Sequence, residues 1–251
     1  EGTYFYLVQP QPDGRVFMIS YDEVSQVASL VSFDGDEIEV HIEEIPEEYH
    51  VSFRSILVRD EQEIWFGGNQ GLVIYKDSQW HSFMDEDAPY RITGAFCIKE
   101  LPDGRVWVGG RDQIHEYKDG QWSKVPVDRL ETVRDILPKK DGSIWVASGT
   151  GVHRYEQGIW IAYSDDDGLP DARMACLLED ENNVVWAGSD MGVCCFNPKA
   201  DQSPPDTLIP SSKNLAEISP SGETRMMYEG VDKWNHTHNG QLLFSSRIDR
   251  G

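Results

Sequence analysis

No stretch of this sequence approaches the roughly 20 apolar residues needed to span a bilayer. The first residues, Glu1-Gly2-Thr3-Tyr4-Phe5-Tyr6, lack the basic start and apolar run of a secretory signal. Basic residues are few: 22 Lys and Arg stand against 44 Asp and Glu, a formal net charge of −22. A general nucleic-acid binder needs a basic footprint to displace phosphate counterions, so that class is excluded. Adhesion to an anionic membrane surface is disfavoured on the same ground. The four cysteines, Cys97, Cys176, Cys194 and Cys195, show no C-x-x-C spacing and read as small core residues rather than zinc ligands, with a disulfide among them left open. The chain also lacks G-x-S-x-G, H-E-x-x-H, Walker and G-x-G-x-x-G patterns, so no standard hydrolase, zincin or nucleotide site is signalled. No helical hydrophobic period competes with the pattern described next.

Aromatic residues are abundant, at 11% of 251 residues, and six of the eight tryptophans fall on one rule. Four segments share one pattern: Ile56 to Ile64-Trp65-Phe66-Gly67-Gly68; Ile98 to Asp103-Gly104-Arg105-Val106-Trp107-Val108-Gly109-Gly110; Ile136 to Asp141-Gly142-Ser143-Ile144-Trp145-Val146-Ala147-Ser148; and Leu177 to Val185-Trp186-Ala187-Gly188-Ser189. A diverged fifth copy runs from Val8 through Asp13-Gly14-Arg15-Val16-Phe17. In each, an apolar residue stands nine positions before the aromatic one. A second register supports the first. Trp80, Trp122 and Trp160 each follow the first tryptophan of their copy by 15 residues and close a Tyr-x-x-x-x-Trp unit beginning at Tyr75, Tyr117 and Tyr155.

Each copy reads as four antiparallel strands. A short apolar run is followed by Asp-Gly, which supplies the positive-φ residues of a tight hairpin. The Trp-bearing run is the second strand. A glycine six residues on (Gly71, Gly151, Gly192) turns the chain into a third strand ending at the Tyr, and the second Trp lies on a fourth. Four strands every 40 or so residues are what a β-propeller blade requires. The expected fold class is therefore all-β, a propeller with five repeats visible. The repeated tryptophans are expected in the core between blades, where burying about 200 Å² of each contributes roughly 5 kcal/mol before entropy.

The runs LPDGRVWVGG (residues 101–110) and DGLPDARMACLLEDENNVVWAGSDMGVCCFNP (167–198) resemble the two-component regulator propeller repeats of bacterial hybrid sensor kinases. The likeness is good over roughly residues 50–198 and poor before that. After Pro204-Pro205 the blade period stops. Asp232-Lys233-Trp234 and Phe244-Ser245-Ser246-Arg247-Ile248-Asp249 are similar to the start of the immunoglobulin-like Y_Y_Y domain that follows such propellers. The resemblance implies that residues 1–200 are blades, part of a typically seven-bladed ring, and that 201–251 are a linker and the opening strands of a β-sandwich. It further implies a periplasmic sensor of polysaccharide breakdown products or another carbohydrate. The signal would pass through the Ig-like domain, with a homodimer forming there. No cofactor is implied, membrane attachment and any kinase would lie in other segments, and this segment would not itself be an enzyme.

In a propeller the loops between strands two and three and those leading into strand one share a face around the central channel. Those loops differ between copies here, and variable residues on a fixed frame are how a scaffold acquires specificity. The candidate ligand-binding residues are Arg54, Asn69, Tyr90, Arg91, Arg111, Asp112, Arg134, Arg173 and Asp190, with Gln70 and Thr150 beside them. Guanidinium groups in an acidic chain suit an acidic or hydroxyl-rich ligand. Ordinary solvated loop polarity is the competing reading. Asp85-Glu86-Asp87 and Asp165-Asp166-Asp167 occupy one register and read as solvated acidic loops rather than a calcium site. His115 and His153 hold equivalent third-strand positions, which suits a structural role. His236-Thr237-His238 lacks a third metal ligand. Two other functions stay open: a protein-interaction scaffold, which would show an exposed apolar patch, or a propeller lyase, which would need a metal and a His–acid constellation at the channel.

Overall fold

A computed structural model describes residues 2–60, 62–197, 206–208 and 229–231. The chain forms a series of antiparallel sheets, each a simple meander. Blade I comprises β1 (Thr3–Pro10), β2 (Val16–Asp22), β3 (Val27–Phe33) and β4 (Ile38–Ile45). Blade II comprises β5 (Phe53–Asp60), β6 (Glu63–Gly68), β7 (Leu72–Lys76) and β8 (Gln79–Ser82). Blade III follows as β9 (Cys97–Glu100), β10 (Val106–Gly109), β11 (Ile114–Lys118) and β12 (Gln121–Val125). Blade IV is β13 (Asp135–Pro138), β14 (Ile144–Ser148), β15 (Gly151–Glu156) and β16 (Ile159–Tyr163). Blade V has three strands among the described residues, β17 (Met174–Glu179), β18 (Val185–Ser189) and β19 (Gly192–Cys195). The first strands of successive blades lie against one another, β1 on β5, β5 on β9, β9 on β13 and β13 on β17, which makes them the inner edge of the array. No helix among the described residues is long and apolar enough to cross a membrane.

The turns obey the residues that the repeat placed there. Gly14, Gly104 and Gly142 hold φ of 91°, 81° and 86° between strands one and two, and Asn183 takes the left-handed position in blade V at 62°. An asparagine tolerates that conformation where most residues do not. The Asp before each turn also caps it: Asp103 Oδ1 accepts Arg105 N–H at 3.3 Å and Asp141 Oδ1 accepts Ser143 N–H at 2.9 Å.

Small residues follow the Trp because the next segment of chain crosses there. Ala95 N–H donates to Gly68 O at 2.9 Å, and Val133 N–H donates to Gly110 O at 2.8 Å. A Cβ on Gly68 would lie 1.9 Å from Val51 O, and one on Gly109 would lie 2.4 Å from Val133 Cγ1. Backbone cannot yield as a flexible side-chain tip can. Gly68→Ala is therefore expected to destabilise the protein by about 3 kcal/mol through overpacking, read as a lower urea midpoint.

The first Trp of each copy is the inter-blade contact. Trp65 is 0% exposed and packs on Tyr117 and Trp122 of the next blade at ring distances of 5.2 and 5.5 Å. Trp107 repeats this against Tyr155 and Trp160 at 5.8 and 6.0 Å. Trp145 meets Phe196 at 4.9 Å. A buried indole N–H needs an acceptor, and each copy supplies a different one: Glu63 for Trp65, Glu116 for Trp107, Ser143 for Trp145 and Asp180 for Trp186. Glu63 also bonds Arg59 at 2.9 Å and Lys76 at 2.5 Å. Burial works to raise its pKa, but the bonds from Lys76, Trp65 and Arg59 outweigh that and hold it below the ordinary carboxylate range. Arg59 reaches on to Glu100 of the next blade at 2.8 Å. On the inner edge, Ser55 Oγ accepts Ile98 N–H at 3.0 Å, and Asp135 Oδ2 accepts Leu177 N–H at 2.9 Å at the equivalent step two blades on.

Two expectations need correction. Trp186 is 39% exposed, because no described blade covers it. Of the cysteines, Cys97 is core, but Cys176 and Cys195 are exposed, since both stand on the same uncovered face of blade V. The tail from residue 201 lies outside the described residues apart from a short ladder, β20 (Asp206–Leu208) paired antiparallel with β21 (Glu229–Val231). The proposed Ig-like start and His236-Thr237-His238 fall in that part.

Candidate functional site

Strand registers fix which loops share an end of the blades. In blade III, Gly109 at the end of strand two pairs with Cys97 at the start of strand one; in blade IV Ala147 pairs with Asp135. The strand two–three loops and the segments leading into strand one therefore sit at the same end, here called the mouth. The backbone knits them together. Val133 N–H reaches Gly110 O at 2.8 Å, Thr132 N–H reaches Arg111 O, and Gly149 N–H reaches Glu131 O at 2.6 Å. Thr150 Oγ1 donates to Arg129 O at 2.7 Å. The hairpins between strands one and two occupy the opposite end.

Charge is segregated between the two ends. Arg15, Arg59, Arg105 and Arg154 lie towards the hairpin end and each has a carboxylate at 2.7–2.9 Å. Arg91 and Arg173 hold looser partners, Glu86 at 3.8 Å and Asp171 at 3.6 Å. Among the described residues, Arg54, Arg111, Arg129 and Arg134 have no carboxylate within 4.0 Å. All four belong to the mouth. Arg54 is the second residue of β5, Arg111 is in the strand two–three loop of blade III, Arg129 is in the connection from blade III to blade IV, and Arg134 immediately precedes β13. In a chain of net charge −22, four guanidinium groups without acidic partners at one end are the unusual feature.

Two of these groups are held by neutral contacts. Arg54 Nε donates to Asn69 Oδ1 at 3.3 Å, and Arg111 Nη2 points to Asn69 O at 3.5 Å. Arg111 also lies over the Phe96 ring at 5.5 Å. Arg54, Phe96 and Arg134 hold equivalent places in blades II, III and IV, each two residues before the buried Ile56, Ile98 and Ile136. The structure thus brings Arg54, Asn69 and Arg111 together, with Arg111 over Phe96, and sets Arg129 and Arg134 on the adjoining loops. Asp112 and Asp190 are exposed on the same end.

The other candidates go elsewhere. Tyr90 packs on blade III. Its ring stacks on Trp122 at 5.5 Å and its hydroxyl meets His115 Nδ1 at 3.1 Å. Arg91 donates to Met84 O at 3.2 Å within its own loop. Arg173 is 71% exposed at its side chain, beside Asp171. Arg129 is not singled out by the sequence, because the blade III–IV connection has no counterpart of fixed length in the other copies and Asp128 and Glu131 flank it.

The equivalent histidines are buried, His115 at 1% and His153 at 3% exposure. Burial pushes both pKa values down to about 4, with Lys124 adding to the effect at His115. Gln113 Nε2 lies 3.0 Å from His115 Nε2, so an amide donor there puts the ring proton on Nδ1, where the Tyr90 hydroxyl accepts it. His153 Nε2 faces Ser148 Oγ at 3.1 Å and Thr150 Oγ1 at 3.2 Å. Both are neutral packing elements of the mouth loops. Of the acidic triplets, Asp165–Asp167 forms a 3-10 turn in which Asp167 Oδ2 accepts Ser164 N–H at 2.8 Å. Among the described residues no three His, Cys, Asp or Glu side chains converge as a metal set would.

Two clefts open at the hairpin end. One, of about 440 Å³, lies between blades IV and V, lined by Lys139, Arg154, Asn183 and Phe196 among others. The other, of about 380 Å³, lies between blades I and II beside Arg15 and Arg59. Their cations are already committed: Lys139 to Glu179 at 3.3 Å and to Asn183 O at 3.0 Å, Arg154 to Glu156 at 2.7 Å. A ligand there would have to displace these bonds; at the mouth it would not.

Comparison with known proteins finds no matching protein-family model and no matching curated protein. Among solved structures, the chain is similar to the extracellular domain of BT3049 from B. thetaiotaomicron, described as a hybrid two-component system: TM-score 0.65, 15% identity, covering 93% of this chain and 36% of that one. It is similar to the extracellular domain of BT4673 from the same organism, described as a one-component system, with TM-score 0.56, 17% identity, 78% of this chain and 27% of that one. It is also similar to virginiamycin B lyase from Staphylococcus aureus, an inactive variant solved with quinupristin: TM-score 0.58, 14% identity, 81% of this chain and 73% of that one. The chain therefore spans about a third or less of the two extracellular domains. At these identities the likeness establishes the fold, an all-β array of propeller-like blades.

Proposed function

We propose that this chain is the ligand-sensing module of an extracytoplasmic bacterial receptor of two-component type, non-catalytic, and that its ligand is an anionic carbohydrate bound at the mouth. The observation that carries the ligand reading is the set of four arginines without acidic partners: Arg54, Arg111, Arg129 and Arg134. Guanidinium presents a planar fork that pairs bidentately with carboxylate or sulfate, and Phe96 adds an apolar surface for a sugar ring. The periplasmic location and the receptor context rest on the repeat resemblance and on the fold shared with extracellular domains of signalling systems. Because the four arginines come from blades II, III and IV and the connection between them, one ligand would tie several loops together. Transmission, through an Ig-like domain after residue 200, requires that the ligand prefer one of two packing states.

The test is calorimetry and thermal shift with sulfated and uronic-acid oligosaccharides, with neutral ones as controls. Saturable binding that weakens with salt is expected. Each charge-assisted bond contributes about 1.5–3 kcal/mol, so the triple substitution Arg54→Ala, Arg111→Ala, Arg134→Ala should lower affinity by at least about 100-fold. Arg173→Ala, already beside Asp171, should change it less than about threefold. Equal affinity for neutral sugars would overturn the ligand class. Appearance of an unsaturated or cleaved product would replace sensing by lyase chemistry.

A further inference from the structure

The connection from blade III to blade IV, residues 126–134, is stapled to the mouth loops on both sides of it. Thr132 and Val133 give their N–H groups to Arg111 O and Gly110 O of blade III. Arg129 O and Glu131 O accept from blade IV, from Thr150 Oγ1 at 2.7 Å and from Gly149 N–H at 2.6 Å. Of these bonds, only that of Thr150 is made by a side chain. It falls on an unusual residue. Arg129 has a φ of 55°, in the left-handed region that an arginine rarely enters. Thr132 is left-handed too, at 37°, but so are Ser52 at 49° and Gly94 at 103°, each thirteen residues before the first Trp of its blade, so that turn belongs to the repeat. Arg129 stands sixteen residues before Trp145, and Tyr49 and Arg91, sixteen before Trp65 and Trp107, are not left-handed. The turn at Arg129 is therefore particular to this connection. Its side chain is exposed, while the next residue, Leu130, is buried in the core between blades III and IV.

Thr150 is oriented in turn by a buried histidine. Ser148 Oγ donates to Gly151 O at 3.2 Å and Thr150 Oγ1 donates to Arg129 O, so both hydroxyl protons are committed. His153 Nε2 lies 3.1 Å from Ser148 Oγ and 3.2 Å from Thr150 Oγ1, so the neutral ring carries its proton on that nitrogen and donates to the two oxygens. Thr150 N–H also bonds Ser148 Oγ at 3.2 Å. Blade III follows the same plan without an arginine at its end: His115 joins Gln113, before its own strand, to Tyr90 of the incoming connection. In both blades a buried third-strand histidine ties a mouth loop to the segment that enters the blade.

We propose that Thr150, oriented by His153, is a positioning residue of the mouth: its hydroxyl fixes Arg129 in the left-handed conformation and so sets where that guanidinium stands for an acidic group of the ligand. This rests on the reading of the mouth as an anion site and goes beyond it in one respect, that Arg129 acts from a backbone held in advance. A segment already ordered loses less affinity to ordering when the ligand arrives. Without the Thr150 bond, nothing else printed on Arg129 opposes the return of its backbone to the ordinary negative-φ region.

Two measurements test this, the first without ligand. Trypsin cleaves after Arg129 when the segment opens locally. Cleavage there, followed by mass spectrometry and normalised to cleavage after the exposed Arg173, is expected to rise roughly tenfold in Thr150→Val. It should stay near the wild-type rate in Thr150→Ser, which keeps the hydroxyl. Thr150→Ala replaces the valine variant if circular dichroism shows that it does not fold. The second measurement is the affinity for a fluorescently labelled disulfated disaccharide in a double-mutant cycle. Thr150→Val should weaken binding by about fivefold, and by less than about twofold once Arg129→Ala has removed the guanidinium. Cleavage unchanged by Thr150→Val overturns the proposal. An equal loss of affinity with and without Arg129 overturns it too, since that is what a general packing defect gives. Wild-type protein that does not bind the sulfated probe overturns the anion site, and with it the part of Thr150 in binding; the cleavage rates then tell that failure apart from a failure of the Thr150 bond itself.

Discussion

Trp107→Ala is expected to cost about 4 kcal/mol of stability, while Trp186→Ala, at the same position of the repeat, should cost less than about 1 kcal/mol. Each stands second in the second strand of its blade and has an acceptor-bonded indole N–H. They differ in what lies on top. Trp107 is 1% exposed, against Tyr155 and Trp160, so truncation removes both transfer energy and packing and leaves a cavity between two blades. Trp186 is 39% exposed, so truncation opens no cavity and loses only part of its burial. Urea unfolding of both variants measures the difference. Equal losses would mean that the value of the Trp lies within its own blade rather than across the blade contact.

Acid should destabilise the protein well above the pH at which most carboxylates titrate. His115 and His153 have folded-state pKa values of about 4, against about 6.5 in an unfolded chain. The unfolded state therefore binds more protons between pH 6.5 and 4, and stability falls as pH drops through that window. At pH 5 each histidine contributes a loss of about 2 kcal/mol, about 4 kcal/mol together. Asp135 works the other way. Burial pushes its carboxyl pKa up, against the Leu177 N–H bond, so its protonation in the native state offsets part of the loss. The measurement is the urea midpoint from pH 7.5 to 4.5. His153→Gln should roughly halve the steepness of its fall, whatever the variant does to stability at pH 7.5. An unchanged slope would show that the buried imidazoles are not the titrating groups.

The blades were legible in the sequence because a blade is a local object. Asp103-Gly104 and Asp141-Gly142 encode their hairpins within two residues, and the Trp-Val-Gly-Gly run encodes a strand that must stay thin at its end. Gly68 and Gly109 could be read as the end of a strand, but the reason for them, the chain crossing at Val51 and Val133, appears only in three dimensions. The candidate site was partly legible. The mouth loops followed from the order of strands, and Arg54, Asn69 and Arg111 do come together. Tyr90 could not be placed, since an aromatic residue in a loop reads the same whether it faces solvent or stacks on Trp122. Arg129 could not be singled out from the other arginines, because pairing is a property of distance between loops.

The sequence by itself determined the repeat, the hairpin turns, the four-stranded sheets and the tryptophan that each copy offers to its neighbour. Those features depend on alternation, turn residues and side-chain volume, all fixed within some 40 residues of chain. The tertiary structure alone decided which tryptophan is covered, which cysteines are exposed and which arginines lack an acid. Each of those depends on whether a second segment, distant in sequence, arrives within contact range. For Trp65, Trp107 and Trp145 it does; for Trp186, Phe33 and Ile38 no segment among the described residues does, so the same repeat position that is core in blades II to IV is part-exposed in blade V.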